Sequence, residues 1–268
     1  MRERDQKIAI IGAGNLGAAL CRGLVESGWK PENIWATRRD VHKIAWLKDL
    51  GVNVTSNNSD AAEAADLIIL AVKPFNYQSV LAEMSGSLDA SRHMLVSVVT
   101  GVYISSFENI LGSSFPIVRA MPNTAADIKE SLTCLSHNPA SSQHIASVSA
   151  IFNHLGESIE INEELMDAAT VLGACGIAYV MRFIRAMVQG GVEIGFDANT
   201  ALKIVQQTVK GAAVLLAERK NHPETEIDKV TTPKGCTIAG LNEMEHNGFS
   251  SALIKGLKAS MSKISSPN

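Results

Sequence analysis

Short apolar runs alternate with stretches of helical spacing as far as Ile161, and the alternation then stops. Lys7–Gly12 (KIAIIG) reads as a buried strand. Residues 15–28 follow with Leu16, Leu20, Leu24 and Val25 on one side and Gly28 as a stop, which predicts a helix. Further strands are expected at Ile34–Thr37, Val52–Thr55, Leu67–Val72, Met94–Val99 and Ile117–Met121, with Leu132–Ser136 as another candidate. Residues 40–50 present Val41, Ile44, Leu47 and Leu50 as a helical face. Ile145, Val148, Ile151 and Phe152 do the same within 142–155, ahead of a strand at Ser158–Ile161. This β-α-β rhythm predicts a mainly parallel sheet with helices on both faces.

From Asn162 on, the chain is rich in Ala, Leu, Val and Met and shows no convincing strand alternation. Helices are expected at 163–190, 197–219 and 249–264. Gly173, Ala174, Gly176 and Ala178 are small enough to let helix backbones approach closely. His222–Gly240 holds Pro223, Pro233, Gly235 and Gly240 and is expected to contain a loop. The domain boundary is placed near 161: an α/β domain over 1–161, then an all-α domain over 162–268. The tail 265–268 is expected to fray.

Composition narrows the function classes. Of 268 residues, 46% are hydrophobic and 19% charged, which excludes a disordered chain. A net charge of −3 argues against a nucleic-acid binder, which would carry a basic excess. No unbroken apolar run reaches the roughly 18 residues of a membrane span, so no membrane partner is expected. The N-terminus lacks a small-residue cleavage site and reads as a strand, not a signal peptide. Cys21, Cys134, Cys175 and Cys236 are scattered without metal-ligand spacing, and no metal site is expected. A reducing cytoplasm suits them.

The most informative local pattern is Gly12-Ala13-Gly14-Asn15-Leu16-Gly17, a G-x-G-x-x-G that follows a predicted strand and opens a predicted helix. In that context the glycines let a pyrophosphate approach backbone N–H groups at the positive end of a helix, the fingerprint of a Rossmann-type dinucleotide-binding domain. The end of the second strand discriminates between nicotinamides. A site for NAD usually places Asp or Glu there. Here Arg38 and Arg39 come first and Asp40 only afterwards. Two guanidinium groups suit a 2′-phosphate and point to NADPH, with NADH as the alternative. A solvated arginine pair, with Asp40 capping a helix, is the other reading of the same residues.

Three later motifs make the pattern specific: Ala71-Val72-Lys73-Pro74, Arg119-Ala120-Met121-Pro122-Asn123-Thr124, and His222-Pro223 followed by Asp228, Val230, Thr232-Pro233, Gly235 and Thr237-Ile238. With the glycine motif, and in this order over almost the whole chain, they resemble the pyrroline-5-carboxylate reductase family. Residues 187–195 (MVQGGVEIG) also match that family's helical domain. The resemblance implies a Rossmann domain followed by an all-α dimerisation domain. It implies reduction of a cyclic imine to proline with NADPH or NADH, the last step of proline synthesis. It further implies an active site where the two domains and a partner subunit's helices meet, in a homodimer or a larger assembly of dimers. By position, Gly12, Gly14, Asn15, Leu16, Gly17, Arg38, Arg39, Asn58, Val72, Lys73, Pro74 and Asn123 would contact cofactor, with Asn58 beside the adenosine ribose and Arg38 beside the 2′-phosphate. Cys175, Gly176, Thr232, Gly235, Cys236 and Thr237 would contact substrate, with Thr237 and Lys73 closest to the chemistry. Local chemistry offers plainer roles: helix capping for Thr237, a solvated strand end for Lys73, a turn closing on its own backbone for Asn123.

Departures from the family cluster in the substrate half. The family's S-G-S-G-P-A-Y is Gly173-Ala174-Cys175-Gly176-Ile177-Ala178-Tyr179 here, Arg185 replaces an acidic residue, Lys234 replaces a loop glycine, and Ala125 stands where a proline is usual. Two other readings therefore stay open. One is a related imine reductase or hydroxyacid dehydrogenase, although the latter would want a helix lysine as general acid, and 163–190 contains none. The other is a non-catalytic NADP(H)-binding sensor.

Overall fold

The computed structural model describes residues 5–265; residues 1–4 and the end of the expected frayed tail, 266–268, lie outside the described residues. Eight strands form one sheet: β1 (Ile8–Ile11), β2 (Ile34–Thr37), β3 (Asn53–Thr55), β4 (Leu67–Leu70), β5 (Met94–Ser97), β6 (Ile117–Met121), β7 (Ser131–His137) and β8 (Gly156–Glu160). Their order is β3-β2-β1-β4-β5-β6-β7-β8. All neighbours are parallel except β6 and β7, which run antiparallel. In register, Ile11 stands between Thr37 of β2 and Leu70 of β4.

Helices cover both faces, which is why the central strands are continuously apolar. Ile8, Ile10, Leu67, Ile69, Val96 and Val118 point into one core, with Leu20 and Leu24 of α1 (Asn15–Glu26) and Phe152 of α6 (Ile145–Asn153). Ala9, Ile11, Ile68, Leu70, Leu95 and Ile117 point into the other. That second core takes Ala61 and Ala62 of α3 (Asn58–Ala64), Leu81 and Met84 of α4 (Tyr77–Met84), and Phe107 of α5 (Ile104–Leu111).

The expected helix over 40–50 is broken into a tight turn at Val41–Ile44 and the short α2 (Trp46–Asp49). Asp40 accepts a hydrogen bond from the His42 N–H (3.3 Å), so the chain enters this stretch through a side-chain-capped 3₁₀ turn. Strands β4 and β5 also end two residues before the expected Val72 and Val99. Beyond Leu70 the chain leaves the ladder to line a cavity at the carboxyl ends of the central strands.

The described residues divide into two compact units. One contains the sheet, runs through Cys175 and is rejoined from Lys263; the other is Gly176–Ser262. The first unit closes with α7 (Met166–Ala169) and a π-helical stretch, Thr170–Cys175. The second is all helix: α8 (Gly176–Glu193), α9 (Ala198–Arg219), α10 (Pro223–Lys229), α11 (Cys236–His246) and most of α12 (Phe249–Ser265). Its buried cluster is small, Val188, Ala201 and Val205, with Ile184 and Val209 against them. The close helix approach falls at Gly191, where a Cβ would lie 3.0 Å from the Ala201 Cβ. At Gly173, one of the positions expected to serve close packing, a Cβ would meet nothing within 4 Å.

The helical stretch Glu163–Glu193 is long and apolar enough to cross a bilayer by length and composition, with an 18-residue window of mean hydropathy 1.6, 11% of it buried. An unbroken-run criterion passes over it because Asp167, Arg182 and Arg185 punctuate the stretch.

Candidate active site

The cavity at the carboxyl ends of the strands measures about 480 Å³ and sits where the strand order reverses around β1, the usual ligand position in an open α/β sheet. Gly12 and Gly14 line it from the turn after β1, Arg38 and Arg39 from the end of β2, Asn58 from α3, and Val72 and Lys73 from the segment after β4. Asn15, Leu16 and Gly17 form the first turn of α1 and are not among the residues that line the cavity. Pro74 follows Lys73 into a 3₁₀ turn.

Gly12 has φ +94, and a Cβ there would lie 2.8 Å from Val72 Cγ1 and 2.9 Å from the Ala71 carbonyl oxygen. Only glycine fits both the left-handed backbone and the contact. At Gly14 the reason is different: a Cβ would meet nothing within 4 Å, so the missing side chain leaves open the space a ligand would use. Gly14 is also the N-cap of α1, without a side-chain cap and with no acidic residue in the first turn. The N–H groups and positive end of α1 are thus uncontested by any carboxylate of the helix itself.

A polar relay ties the cavity wall together. The Gly12 N–H donates to Thr37 Oγ1 (3.1 Å), the Thr37 hydroxyl to Asn58 Oδ1 (2.6 Å), and Asn58 Nδ2 to Glu83 Oε2 (3.1 Å). Arg38 Nη1 donates to the Ala13 carbonyl (3.1 Å), so this guanidinium braces the glycine turn. Arg39 is exposed and, like Lys43, lines the cavity. Asp40 caps its turn as the plainer reading proposed and pairs with Lys43 at 3.6 Å. Sequence reasoning missed Lys43, Ser56, Asn76, Ser79 and Glu83, which also line the cavity. Ser79 and Glu83 stand one helical turn apart on α4, a spacing that becomes a shared face only once that short helix is known. The fit to a dinucleotide is good: an uncapped helix N-terminus, a side-chain-free cradle, and cations at the rim.

Asn123 lies elsewhere. Its N–H donates to Ser131 Oγ (3.0 Å), its Oδ1 accepts from the Ala125 N–H (2.9 Å), and its Nδ2 donates to the Gly173 carbonyl (3.3 Å). Nearby, Arg119 is 1% exposed. Its Nη1 meets Glu163 Oε1 at 3.0 Å, its Nη2 stands 3.7 Å from Asp167 Oδ1, and the guanidinium lies over the Tyr103 ring. The Tyr103 hydroxyl donates to Asp167 Oδ2 (3.1 Å), and that bond to a carboxylate raises the phenol's pKa. No sequence pattern announced this cluster, because its members are distant in the chain.

In the helical unit the predicted substrate loop is a tight turn. The Gly235 N–H donates to the Thr232 carbonyl (2.9 Å), with Pro233 and Lys234 between them. Lys234 has φ +60, so the lysine found in place of the family's glycine occupies left-handed backbone at some cost in strain. Gly235 is the N-cap of α11, without a side-chain cap. Cys236 is exposed and Thr237 half-buried, one residue into the helix, so Thr237 does not hold the cap position its plainer reading assumed. Cys175 ends the π-helical stretch, and Gly176 opens α8. Among the thiols, burial pushes Cys21 up to about 12, far from reactivity.

Both halves of the chain match known proteins. A family model described as pyrroline-5-carboxylate reductase dimerisation matches residues 163–266, and one described as NADP oxidoreductase, coenzyme F420-dependent, matches residues 7–101. The chain is 45% identical to pyrroline-5-carboxylate reductase 2 of Dictyostelium discoideum, over 98% of this chain and 93% of that protein. It is 46% identical to reductase 1 of the same organism over 99% of this chain, which spans only 50% of that longer protein. Among solved structures, the Plasmodium falciparum pyrroline carboxylate reductase with NADP bound superposes with a TM-score of 0.89 at 30% identity, covering 97% of each chain. With 45% identity over nearly the full length of one relative and a family model over its helical half, the chain belongs to the pyrroline-5-carboxylate reductase family.

Proposed function

We propose that the chain reduces 1-pyrroline-5-carboxylate to L-proline, the last step of proline synthesis, with NADPH preferred over NADH, as a cytoplasmic homodimer. The observation that carries this reading is the glycine-lined cavity at the switch point of the sheet, with Arg38 and Arg39 at its rim, in a chain that matches the family over nearly its whole length. When bound, the dinucleotide supplies a hydride to the imine carbon. The protein's own residues hold and orient. Gly12, Gly14 and the first turn of α1, Asn15, Leu16 and Gly17, receive the pyrophosphate. Arg38, which also braces the turn through Nη1, and the exposed Arg39 meet the 2′-phosphate. Asn58 serves the ribose, and Val72, Lys73 and Pro74 border the nicotinamide side.

The division of labour follows the chain, with residues 1–161 for cofactor and 162–268 for dimerisation and substrate. Cys175, Gly176, Thr232, Gly235, Cys236 and Thr237 form the substrate side. A protonated imine is already a good electrophile, so no buried acid–base pair is required. The Thr237 hydroxyl and the free N–H groups at the start of α11 suit the substrate carboxylate.

The test is initial rates with pyrroline-5-carboxylate and each cofactor, for wild type and Arg39→Glu. Loss of a charge-assisted bond, about 1.5 kcal/mol at an exposed rim, predicts about a tenfold weaker KM for NADPH with NADH little changed. Equal use of both cofactors by wild type contradicts the preference for NADPH.

A further inference from the structure

The long helical stretch that begins at Glu163 does not keep α-helical winding. Thr170–Cys175 is π-helical, and it ends on Cys175, the first residue of the proposed substrate side. Such widened turns are rare and gather at functional sites, because they re-aim whatever follows or lines them. This one is held on both sides by strand β6 and the turn that follows it. Upstream, the buried Arg119 of β6 engages Glu163 and Asp167. Glu163 also accepts the Ile104 N–H at 2.6 Å, and Asp167 accepts the Tyr103 hydroxyl. Downstream, the Asn123 amide reaches the Gly173 carbonyl inside the π-helical turn itself.

Asn123 is well built for that one task. Ser131 fixes its backbone N–H, and the Ala125 N–H fixes its side-chain oxygen. With the oxygen engaged, the amide plane is set and the NH₂ group is delivered to Gly173. Asn123 is not among the residues that line the dinucleotide cavity.

We infer that Asn123 is a positioning residue for the substrate and not a cofactor ligand: with Arg119 it holds the π-helical turn Thr170–Cys175 in the winding that presents Cys175 to the imine. The inference rests on the reductase reading above. It predicts that weakening the clamp changes how the imine is held and leaves the dinucleotide alone.

The experiment uses full-length protein, wild type, Asn123→Asp and Arg119→Lys. Asn123→Asp keeps the acceptor for the Ala125 N–H and replaces the donor to Gly173 with a second oxygen. Arg119→Lys keeps the charge and loses the fork that spans two carboxylates. Three quantities are read: KM for pyrroline-5-carboxylate, Kd for NADPH by fluorescence titration, and melting temperature. For Asn123→Asp the expected result is an imine KM at least tenfold higher, with the NADPH Kd within twofold of wild type. Arg119→Lys is expected to shift the imine KM in the same direction by a smaller factor, again without weakening NADPH. An NADPH Kd that weakens in step with the imine KM in Asn123→Asp overturns the inference in favour of cofactor binding. Unchanged kinetics in both variants overturn it as well. A wild type that reduces no cyclic imine removes the reductase reading and this inference with it, whereas normal wild-type turnover with either contrary result removes the inference alone.

Discussion

Gly12 and Gly14 occupy the same motif for opposite physical reasons, and substitution separates them. Gly12→Ala forces a Cβ into Val72 and the Ala71 carbonyl from left-handed backbone. It is expected to cost about 1–3 kcal/mol and lower the melting temperature by several degrees. Gly14→Asp adds a side chain where nothing crowds it, at an extended N-cap position that favours aspartate. Its melting temperature should hold or rise, while the carboxylate repels the pyrophosphate and weakens NADPH about a hundredfold. Thermal melts and cofactor titrations on the two variants check both directions. The spacing of the glycines reveals that a nucleotide turn exists, but not which glycine answers to backbone geometry and which to the ligand. Arg38 shows the same limit. Its position at the strand end was legible, whereas its bond to the Ala13 carbonyl depends on the path of a turn 25 residues earlier.

Elements with strong periodicity were legible in the sequence, and those defined by tertiary contact were not. Strand Ile34–Thr37 coincides with its expected span, and helices 197–219 and 249–264 appear as Ala198–Arg219 and Phe249–Ser265. Helices α3, α4 and α5 were not delimited beforehand, since seven or eight residues carry barely two turns of pattern. The π-helical turn left no trace in hydrophobic spacing at all. Asp197, the first residue of the expected helix, instead caps α9, accepting the N–H groups of Asn199 and Thr200 at 3.0 Å each. Hydrogen bonds from Thr200, first through its side chain and then its backbone, hold the Asp197 carboxyl below the usual carboxylate range. A depressed folded pKa contributes stability above the unfolded value, near 4, that is lost as pH falls through the folded one. Asp197→Ala should therefore lower the melting temperature at neutral pH, and the difference from wild type should shrink once both are measured well below pH 4. A gap that persists unchanged in acid would mean the carboxylate is not what caps the helix.

At the scale of the whole molecule, the helical unit exposes more apolar surface than a small monomeric bundle sustains. Val180, Met181, Phe183, Met187 and Val192 of α8 are all more than a third exposed, as are Phe249, Leu253 and Ile254 of α12. Between α8 and α12 runs an apolar groove of about 560 Å³, and the family model for dimerisation covers both helices. The richness of this half in Ala, Leu, Val and Met was legible in the sequence, and the groove was not, because it needs the packing of two helices some seventy residues apart. Val180→Asp places a charge on that groove and should convert a dimer into a monomer at micromolar concentration, with helical circular dichroism retained. Light scattering on the pair checks it, and an unaltered dimer mass would put the interface elsewhere. The proposed reaction is a hydride transfer, and an isotope reads it most directly. With NADPH carrying deuterium at the transferred position of nicotinamide C4, and pyrroline-5-carboxylate as substrate, mass spectrometry should find proline bearing one deuterium at the former imine carbon. Unlabelled proline, or labelled cofactor that is bound yet never consumed, would contradict the assignment.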